Sequence, residues 1–431
     1  MGDGNREEVK LSLLGPEDRF VLDRLRERGR AWIVGGWVRD LLAGHKPSDI
    51  DIATDLVPED VGGIFPRSIM VGAKFGTCIV RIEKSESPHY QCEVTTLRED
   101  GGYADGRRPD NVVFGTEICD DLDRRDFTIN AMAIEPIGTL SGNKNPVGEL
   151  IDEGNRGITD LKNGIVRAVG DPEKRLGEDG LRVIRAFRFL SKADGGIRSL
   201  DPSLSDAIVS KKEMLGKVSK ERILAELRAI LAGQNSKKIV RMMDDHRLFE
   251  EITPGMSINN EVGHSHDYLV NLALIYSLER CSGAELSDVL GENLRLSNAE
   301  KSDLSFLHSH RKLDLDHSDS SVRRFMAALS ESQKSRVVPY LSGRGIDTTQ
   351  FEERCEVIGQ SKSRGVPLID GNMLSELTGL EPGKQLGRLK DWLHRIQVEG
   401  DIDSKESLIE KLDDIGWENS DFSDWPVLSW P

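Results

Sequence analysis

The stretch from Trp32 to Asp55 reads WIVGGWVRDLLAGHKPSDIDIATD. Trp32-Ile33-Val34 is a short apolar run of strand type, and Gly35-Gly36 breaks it before Val38-Arg39-Asp40-Leu41-Leu42, which has the look of a helix start. Paired glycines between a strand and a helix let the backbone approach a ligand closely, and the amides that open a helix favour phosphate. Arg39 adds a cation beside that turn. If Asp49-Ile50-Asp51-Ile52 is a strand, Asp49 and Asp51 share one face while Ile50 and Ile52 enter the core. Two carboxylates beside a phosphate cradle suit one or two Mg2+ ions of a phosphoryl-transfer site. Taken singly, a Gly-Gly turn is an ordinary turn, and Asp-x-Asp is common on solvated strand edges.

Outward from this stretch, residues 1–30 read as a polar lead and a helix around Leu22 and Leu25, and Val61 to Phe65 as a further helix. Alternation predicts strands at Ser68–Val71, Thr77–Ile82 and Gln91–Leu97. Glu93, in mid-strand, is a third carboxylate for the catalytic set if its strand lies beside the Asp49/Asp51 strand; otherwise it is a strand-edge side chain facing water. Residues 98–109, REDGGYADGRRP, mix glycine, charge and proline as a mobile loop does, with Arg98, Asp105 and Arg107 as its polar contacts. A strand from Asn111 to Phe114 follows. Arg124-Arg125-Asp126 then opens an amphipathic segment reaching Asn130. Its guanidiniums can grip phosphate or sugar with Asp126 orienting them, while a surface charge cluster at a helix start is the plainer reading. The Gly-, Pro- and Asn-rich residues 134–157 read as the end of this region.

The chain has 431 residues, too many for one compact core, which suggests roughly two to four domains. With 37% hydrophobic and 31% charged residues it has a globular composition, and it lacks any run of about 18 apolar residues that would cross a membrane. The polar, acidic start MGDGNREEVK is unlike a secretory signal. Cys78, Cys92, Cys119, Cys281 and Cys355 are scattered, odd in number and without a C-x-x-C pair, which argues against a disulfide framework and a zinc site and fits a reducing cytoplasm. The net charge of -16 runs against the usual basic balance of a nucleic-acid protein, but the sum does not decide the matter, since basic residues can be grouped on one face while acidic ones cover the rest.

A helix is predicted from Glu178, where EDGLRVIRAFRFL sets Leu181, Ile184, Phe187 and Phe189 among Arg182, Arg185 and Arg188. Asp179 and Arg182 fall on one face of it, Arg185 at the margin and Arg188 further round. A solvated basic stripe explains such spacing. A sharper use comes from base chemistry. Cytosine and adenine both offer an exocyclic amino donor next to a ring-nitrogen acceptor, which an Asp acceptor beside an Arg donor satisfies. Uracil and guanine leave one of the two unpaired, at about 1–3 kcal/mol per mismatch.

After about residue 215 strand signals nearly vanish and apolar stripes such as Ile223, Leu224, Leu227, Ile230 and Leu231 mark a helical body. His264-Ser265-His266-Asp267 invites a metal-dependent phosphohydrolase reading but has no spaced partner His and Asp. Gly379 to Gly387 forms a glycine-rich turn into a helix whose amides and Lys384 could hold a nucleic-acid phosphate, or a plain helix-turn-helix. The tail, with Trp417, Trp425 and Trp430, is either loosely ordered or packed onto the body.

In order, GGWVRD, DIDIATD, EVTTLREDGGYADGRRPD, RRDFTINAMA, DLKNGIVRAVGDPEKRLGEDGLRVIRAFRF and SKERILAEL resemble the class II CCA-adding tRNA nucleotidyltransferases, which belong with the poly(A) polymerases to the DNA polymerase beta-type superfamily. The likeness is dense over about residues 30–235 and fainter over 367–412. It implies an α+β chain: a polymerase-beta-type nucleotidyltransferase head with a mixed sheet, followed by an all-helical neck, body and tail. The implied boundaries are 1–157 for the head, 158–215 for the neck, 216–310 for the body and 311–431 for the tail. It also implies template-independent addition of CCA to the tRNA 3′ end from CTP and ATP, with Mg2+, in the cytoplasm and without a membrane; quaternary state is left open. Carried onto this chain, Gly35, Gly36 and Arg39 would meet the triphosphate, and Asp49 and Asp51 the Mg2+. Arg124 and Arg125, with Asp126 and Asn130, would touch the nucleotide. Asp179 and Arg182 would read the base, with Arg185 and Arg188 supporting the neck and phosphates.

Trp37, Leu176 and Gly180 depart from the family pattern, and Gly180 at a helix start is expected to loosen the base-reading edge. Within the family, Val71-Gly72-Ala73-Lys74-Phe75-Gly76-Thr77 is of tRNA-enzyme type rather than poly(A) polymerase type, and the intact 98–109 loop argues against a CC-adding relative. An A-adding relative and, outside enzymes, a tRNA-binding protein on an inactive scaffold are the remaining readings.

Overall fold

The computed structural model describes residues 7–71, 76–83, 90–101, 111–152, 154, 156–261, 263–278, 280–359 and 366–431. They divide into two compact units, Met1–Gly255 and Met256–Pro431. No helix among the described residues is long and apolar enough to cross a membrane.

The first unit opens with β1 (Glu8–Lys10), α1 (Pro16–Arg26), β2 (Ala31–Val34), α2 (Gly36–Leu42), β3 (Asp51–Thr54), α3 (Pro58–Ile64), β4 (Thr77–Ile82) and β5 (Tyr90–Thr96). There follow β6 (Arg98–Gly101), β7 (Asn111–Phe114), α4 (Ile118–Asp123), β8 (Ala133–Ile137) and β9 (Val147–Ile151). Seven strands make one mixed sheet in the order β1-β9-β8-β2-β3-β5-β4, in which β3 and β5 run parallel and the other neighbours antiparallel.

The apolar run of β2 is explained by burial on both faces. Ala31 and Ile33 enter the larger core with Ile52, Val94 and Ile134, while Trp32 and Val34 pack on the opposite face with Ala53, Ile118 and Leu122. Ile50 and Ile52 are buried and Asp49 and Asp51 exposed, as alternation requires. The strand itself begins only at Asp51; Asp49 lies in the bend before it.

Other expectations need correction. Ser68–Val71 forms no strand and touches the sheet through a single bridge, Ile69 to Ile79. Residues 134–157, read only as the end of the region with no strand named in them, contain β9 and most of β8, which pair with each other and extend the sheet. Residues 98–109 do not start as loop, because Arg98–Gly101 pairs antiparallel with Asn111–Phe114. Asp105 and Arg107 lie outside the described residues.

The first unit continues through α5 (Arg156–Asn163), β10 (Ile165–Val166), α6 (Pro172–Glu178), α7 (Leu181–Arg188), β11 (Ser199–Leu200), α8 (Pro202–Lys211), α9 (Lys220–Leu231), α10 (Ser236–Asp245) and α11 (Phe249–Ile252). The two-residue pairing of β10 with β11 and the isolated bridges Phe127 to Ala168 and Ser191 to Ile197 interrupt this helical course. The expected single helix from Glu178 is two helices, broken at Asp179-Gly180, where Asp179 has extended backbone (φ -144, ψ 110). The break has a packing cause. Gly180 is buried, and a Cβ there would run into the backbone carbonyl of Met214. The glycine therefore permits a close approach rather than loosening the edge.

The second unit is helical among its described residues: α12 (Tyr268–Ile275), α13 (Gly283–Leu294), α14 (Asn298–Ser309), α15 (Asp319–Ala328), α16 (Glu331–Gly343), α17 (Thr349–Ile358), α18 (Gly371–Thr378), α19 (Lys384–Gly400) and α20 (Lys405–Asp414). Gly379, at φ 72, ends α18, and a short turn leads to α19. Trp425 and Trp430 are buried, Trp425 with Leu386, Leu389 and Leu393 of α19. Among the described residues the His264/His266 pair gathers no metal cage: Asp267 caps α12 through the Leu269 and Val270 amides and pairs with Arg336.

Candidate nucleotidyl-transfer site

The β2–α2 turn positions the site. Gly35 holds φ +72, in the left-handed region, and a Cβ there would lie 3.2 Å from Asp51 Oδ2 and 3.3 Å from Arg125 Nη1. A side chain at Gly35 is thus disfavoured both by backbone conformation and by the carboxylate and guanidinium that flank it. Parallel pairing puts Asp51 opposite Glu93, so their side chains emerge on one face, strands about 4.8 Å apart. Although Asp51 is open to solvent on one side, desolvation by the protein around its carboxyl pushes it up from the usual range, Arg125 pulls it back, and the charge of Asp49 pushes it up again. Burial, then the charge of Asp51, likewise raises Glu93. Carboxylates crowded in this way favour a bound cation.

Arg124-Arg125-Asp126 follows the C-terminus of α4 instead of opening a helix, an end that favours cations. Asp121, 1% exposed on α4, orients both arginines: Oδ1 accepts from Arg124 Nε at 3.1 Å and Oδ2 from Arg125 Nη2 at 3.2 Å. Burial would raise the Asp121 carboxyl, but the two guanidiniums outweigh it and hold it low. Asp126 faces the other way. It accepts from Arg185 Nε at 2.9 Å, Arg185 Nη2 at 2.7 Å, the Phe127 amide at 2.8 Å and Asn130 Nδ2 at 3.3 Å. Asn130 Oδ1 in turn accepts from Arg39 Nη1 at 2.8 Å, and Arg39 Nε donates to Asp40. A chain of charge-assisted bonds thus runs from the glycine turn to α7.

Phe189 stands at the centre of that chain. Arg39, Arg185 and Arg188 lie 5.4, 5.1 and 5.5 Å from its ring centroid, and Phe127 meets it edge-on. Glu226 of α9, 5% exposed, accepts from Arg185 at 3.4 Å and Arg188 at 3.2 Å.

Asp179 and Arg182 come together across the helix break. The Asp179 carboxylate accepts the Leu181 amide at 3.0 Å and the Arg222 fork at 2.8 and 3.4 Å. Arg182 donates to Glu178 at 2.6 Å and to the carbonyls of Arg175 and Arg124. Asp51, Glu93, Arg98, Arg124, Arg125 and Asp126 line one cavity of about 410 Å³ with Asp179, Arg182, Arg185 and Arg222. Carboxylates for a cation, guanidiniums for phosphates and a paired acceptor and donor for a base edge therefore open on one space.

Sequence reasoning passed over Asp121, Glu178, Phe189, Arg222 and Glu226 as site residues. Only the last pair carried a usable signal, since Arg222 and Glu226 stand four apart within SKERILAEL, on one helix face.

Residues 31–167 match the poly A polymerase head domain family, and residues 199–258 match the family described as a probable RNA and SrmB-binding site of polymerase A. The CCA-adding enzyme of Lactobacillus helveticus is 32% identical over 405 residues, 92% of this chain and 96% of that protein. That of Lactococcus lactis is 42% identical over 214 residues, 49% of each chain. Among solved structures, the Bacillus stearothermophilus CCA-adding enzyme in complex with CTP superposes with a TM-score of 0.71 at 25% identity, over 94% of this chain and all of that one. The Thermotoga maritima CCA-adding enzyme complexed with tRNA shares the fold at a TM-score of 0.64 and 21% identity, over 94% of this chain and 98% of that one. With its site geometry and a relative matched over nearly its whole length, this chain belongs to the family of CCA-adding enzymes.

Proposed function

We infer that this protein adds C, C and A to the 3′ end of tRNA from CTP and ATP without a nucleic-acid template, releasing pyrophosphate at each step. The observation that carries the reading is the single cavity shared by Asp51, Glu93, Arg125, Asp179 and Arg182. The glycine turn lets a triphosphate lie against backbone beside Asp51 and Arg125. Arg39, fixed by Asp40 and Asn130, and Arg124 and Arg125, fixed by Asp121, are preorganised to take the phosphate charge. The tRNA 3′-hydroxyl attacks the α-phosphate and pyrophosphate leaves.

CCA-adding enzymes are nucleotidyltransferases that generally use divalent metals, and the donor set here fits Mg2+. Asp49 and Asp51 would hold it with Glu93 beside them, since Mg2+ takes one or two carboxylates and completes its shell with water and substrate phosphates. Bound there, it would stabilise charge on the attacking and leaving oxygens. Asp179 accepts from the amino group and Arg182 donates to the ring nitrogen of C or A. The rigid setting of both side chains replaces a template.

With this function we place a head at 1–157, a neck at 158–215, a body at 216–310 and a tail at 311–431 that binds tRNA. Five cysteines, none of them in a disulfide, suit a cytoplasmic setting. The test is incubation with Mg2+ and a tRNA transcript ending before CCA, offering CTP, ATP, both, UTP or GTP. Three added residues requiring both CTP and ATP, with Asp51→Ala inert, is the expected result. Growth by two residues, by one on a CC-ended tRNA only, or by a long A tail would reassign the chain to a sister activity. No extension of any primer would overturn the enzyme reading.

A further inference from the structure

We propose that Arg222 is a specificity-determining positioning residue: from α9 it clamps the Asp179 carboxylate in the orientation that accepts from a base amino group. The proposal rests on the reading that Asp179 and Arg182 meet the base.

Asp179 occupies the break between α6 and α7, where its extended backbone gives the side chain no helical neighbours to fix its rotamer. Within the cavity wall two groups hold it. The Leu181 amide binds Oδ1 alone, a single point about which the carboxylate can swing. The Arg222 guanidinium binds both oxygens, Nη2 to Oδ2 at 2.8 Å and Nη1 to Oδ1 at 3.4 Å, and a two-point fork fixes the plane as well as the position. The pair is sheltered, with side chains 17% and 27% exposed, so it is less screened than a surface ion pair.

The same helix matches α7 in charge register. Arg222 takes the carboxylate that precedes α7, and Glu226, one turn on, takes Arg185 and Arg188 from its later turns. Meanwhile Ile223, Leu224, Leu227, Ile230 and Leu231 bury the apolar side of α9. Arg182 does not depend on this clamp, because its own partners are Glu178 and the carbonyls of Arg175 and Arg124. Loss of Arg222 therefore frees the acceptor half of the base reader and leaves the donor half in place. The acceptor half is what rejects the carbonyl that uracil and guanine present in place of the amino group. A freed carboxylate turns away from that carbonyl at little cost, and discrimination falls.

The experiment measures kcat/KM for single-nucleotide addition of CTP and UTP to a tRNA ending before CCA, and of ATP and GTP to one ending in CC. The proteins are wild type, Arg222→Ala, Arg222→Lys and Asp179→Asn. Arg222→Ala is expected to lower the CTP/UTP and ATP/GTP ratios on the order of tenfold, the scale of one lost discriminating contact. Arg222→Lys should recover only part, since a point charge is not a fork. Ratios within twofold of wild type, with all four rates falling together, would show a merely structural role and overturn the proposal. If Arg222→Ala does not melt cooperatively, Arg222→Lys is judged by the same ratios. Asp179→Asn separates the two levels. Ratios unchanged in that variant overturn the base-reading assignment and this proposal with it; ratios lost there but kept in both Arg222 variants overturn this proposal alone.

Discussion

Replacing Asp126 by Asn tests the bond chain that joins the glycine turn to α7. The wild-type carboxylate, 9% exposed, takes two ion-pair bonds from Arg185 and two more from uncharged donors, the Phe127 amide and Asn130. The amide keeps the shape and an acceptor for Phe127, but it loses the charge and turns one acceptor into a donor facing Arg185. Bonds to charged groups are worth about 1.5–3 kcal/mol each, and breaking a buried pair costs about 3–5 kcal/mol. Arg185 keeps Glu226, so we predict a loss of about 3 kcal/mol. Hydrogen exchange of the β2 and β3 amides in rising urea reports the first unit separately, and the midpoint should fall by about 1–2 M. The loss should also depend on pH. Burial would raise the Asp126 carboxyl, but Arg185 and Asn130 outweigh it and hold it below the usual range. Its contribution is therefore complete above the unfolded carboxyl value of about 3.9 and is withdrawn as pH falls through the lower folded value. The gap between wild type and variant should stay constant at pH 5 and above and narrow below about pH 4. A gap under about 0.5 kcal/mol at pH 7, or one that widens on acidification, would refute the reasoning.

Three further outcomes are expected. Gly35→Ala should cost about 1–2 kcal/mol, from its left-handed φ, yet lower kcat/KM by about a hundredfold or more, because the new methyl meets Asp51 and Arg125; thermal melts and steady-state kinetics check both numbers. Glu93→Gln should raise the Mg2+ concentration for half-maximal rate while leaving the CTP/UTP ratio unchanged, read from Mg2+ titrations with each nucleotide. Gly180→Ala should destabilise by about 2–3 kcal/mol, since the added Cβ would lie 2.7 Å from the Met214 carbonyl carbon, and should blur discrimination by displacing Asp179; an unchanged melting temperature would refute it.

Short-range features were legible without coordinates. Alternation placed Ile50 and Ile52 in the core and Asp51 outside it, because side chains of an extended chain alternate whatever they pack against. The Gly35-Gly36 break between β2 and α2 was readable because few residues other than glycine hold a positive φ. Spacing failed where long-range packing overrode local preference. Helical periodicity through Glu178–Arg188 concealed the break at Asp179-Gly180, which depends on the Met214 carbonyl more than thirty residues away. Asp49 fell in a bend because strand pairing with β2 ends at Asp51. The β8–β9 pair was hidden in a Gly- and Pro-rich stretch, since a strand partner, not composition, makes a strand.

By itself, then, the sequence determined the chemistry available: which carboxylates, guanidiniums and glycines exist, in motifs whose order names the family. Only the tertiary structure decided which of them meet. Asp51 faces Glu93 through parallel pairing, Asp121 orients two arginines, and Arg222 reaches Asp179 across 43 positions of chain. Such contacts depend on sheet register and helix packing, and neither is written in local periodicity.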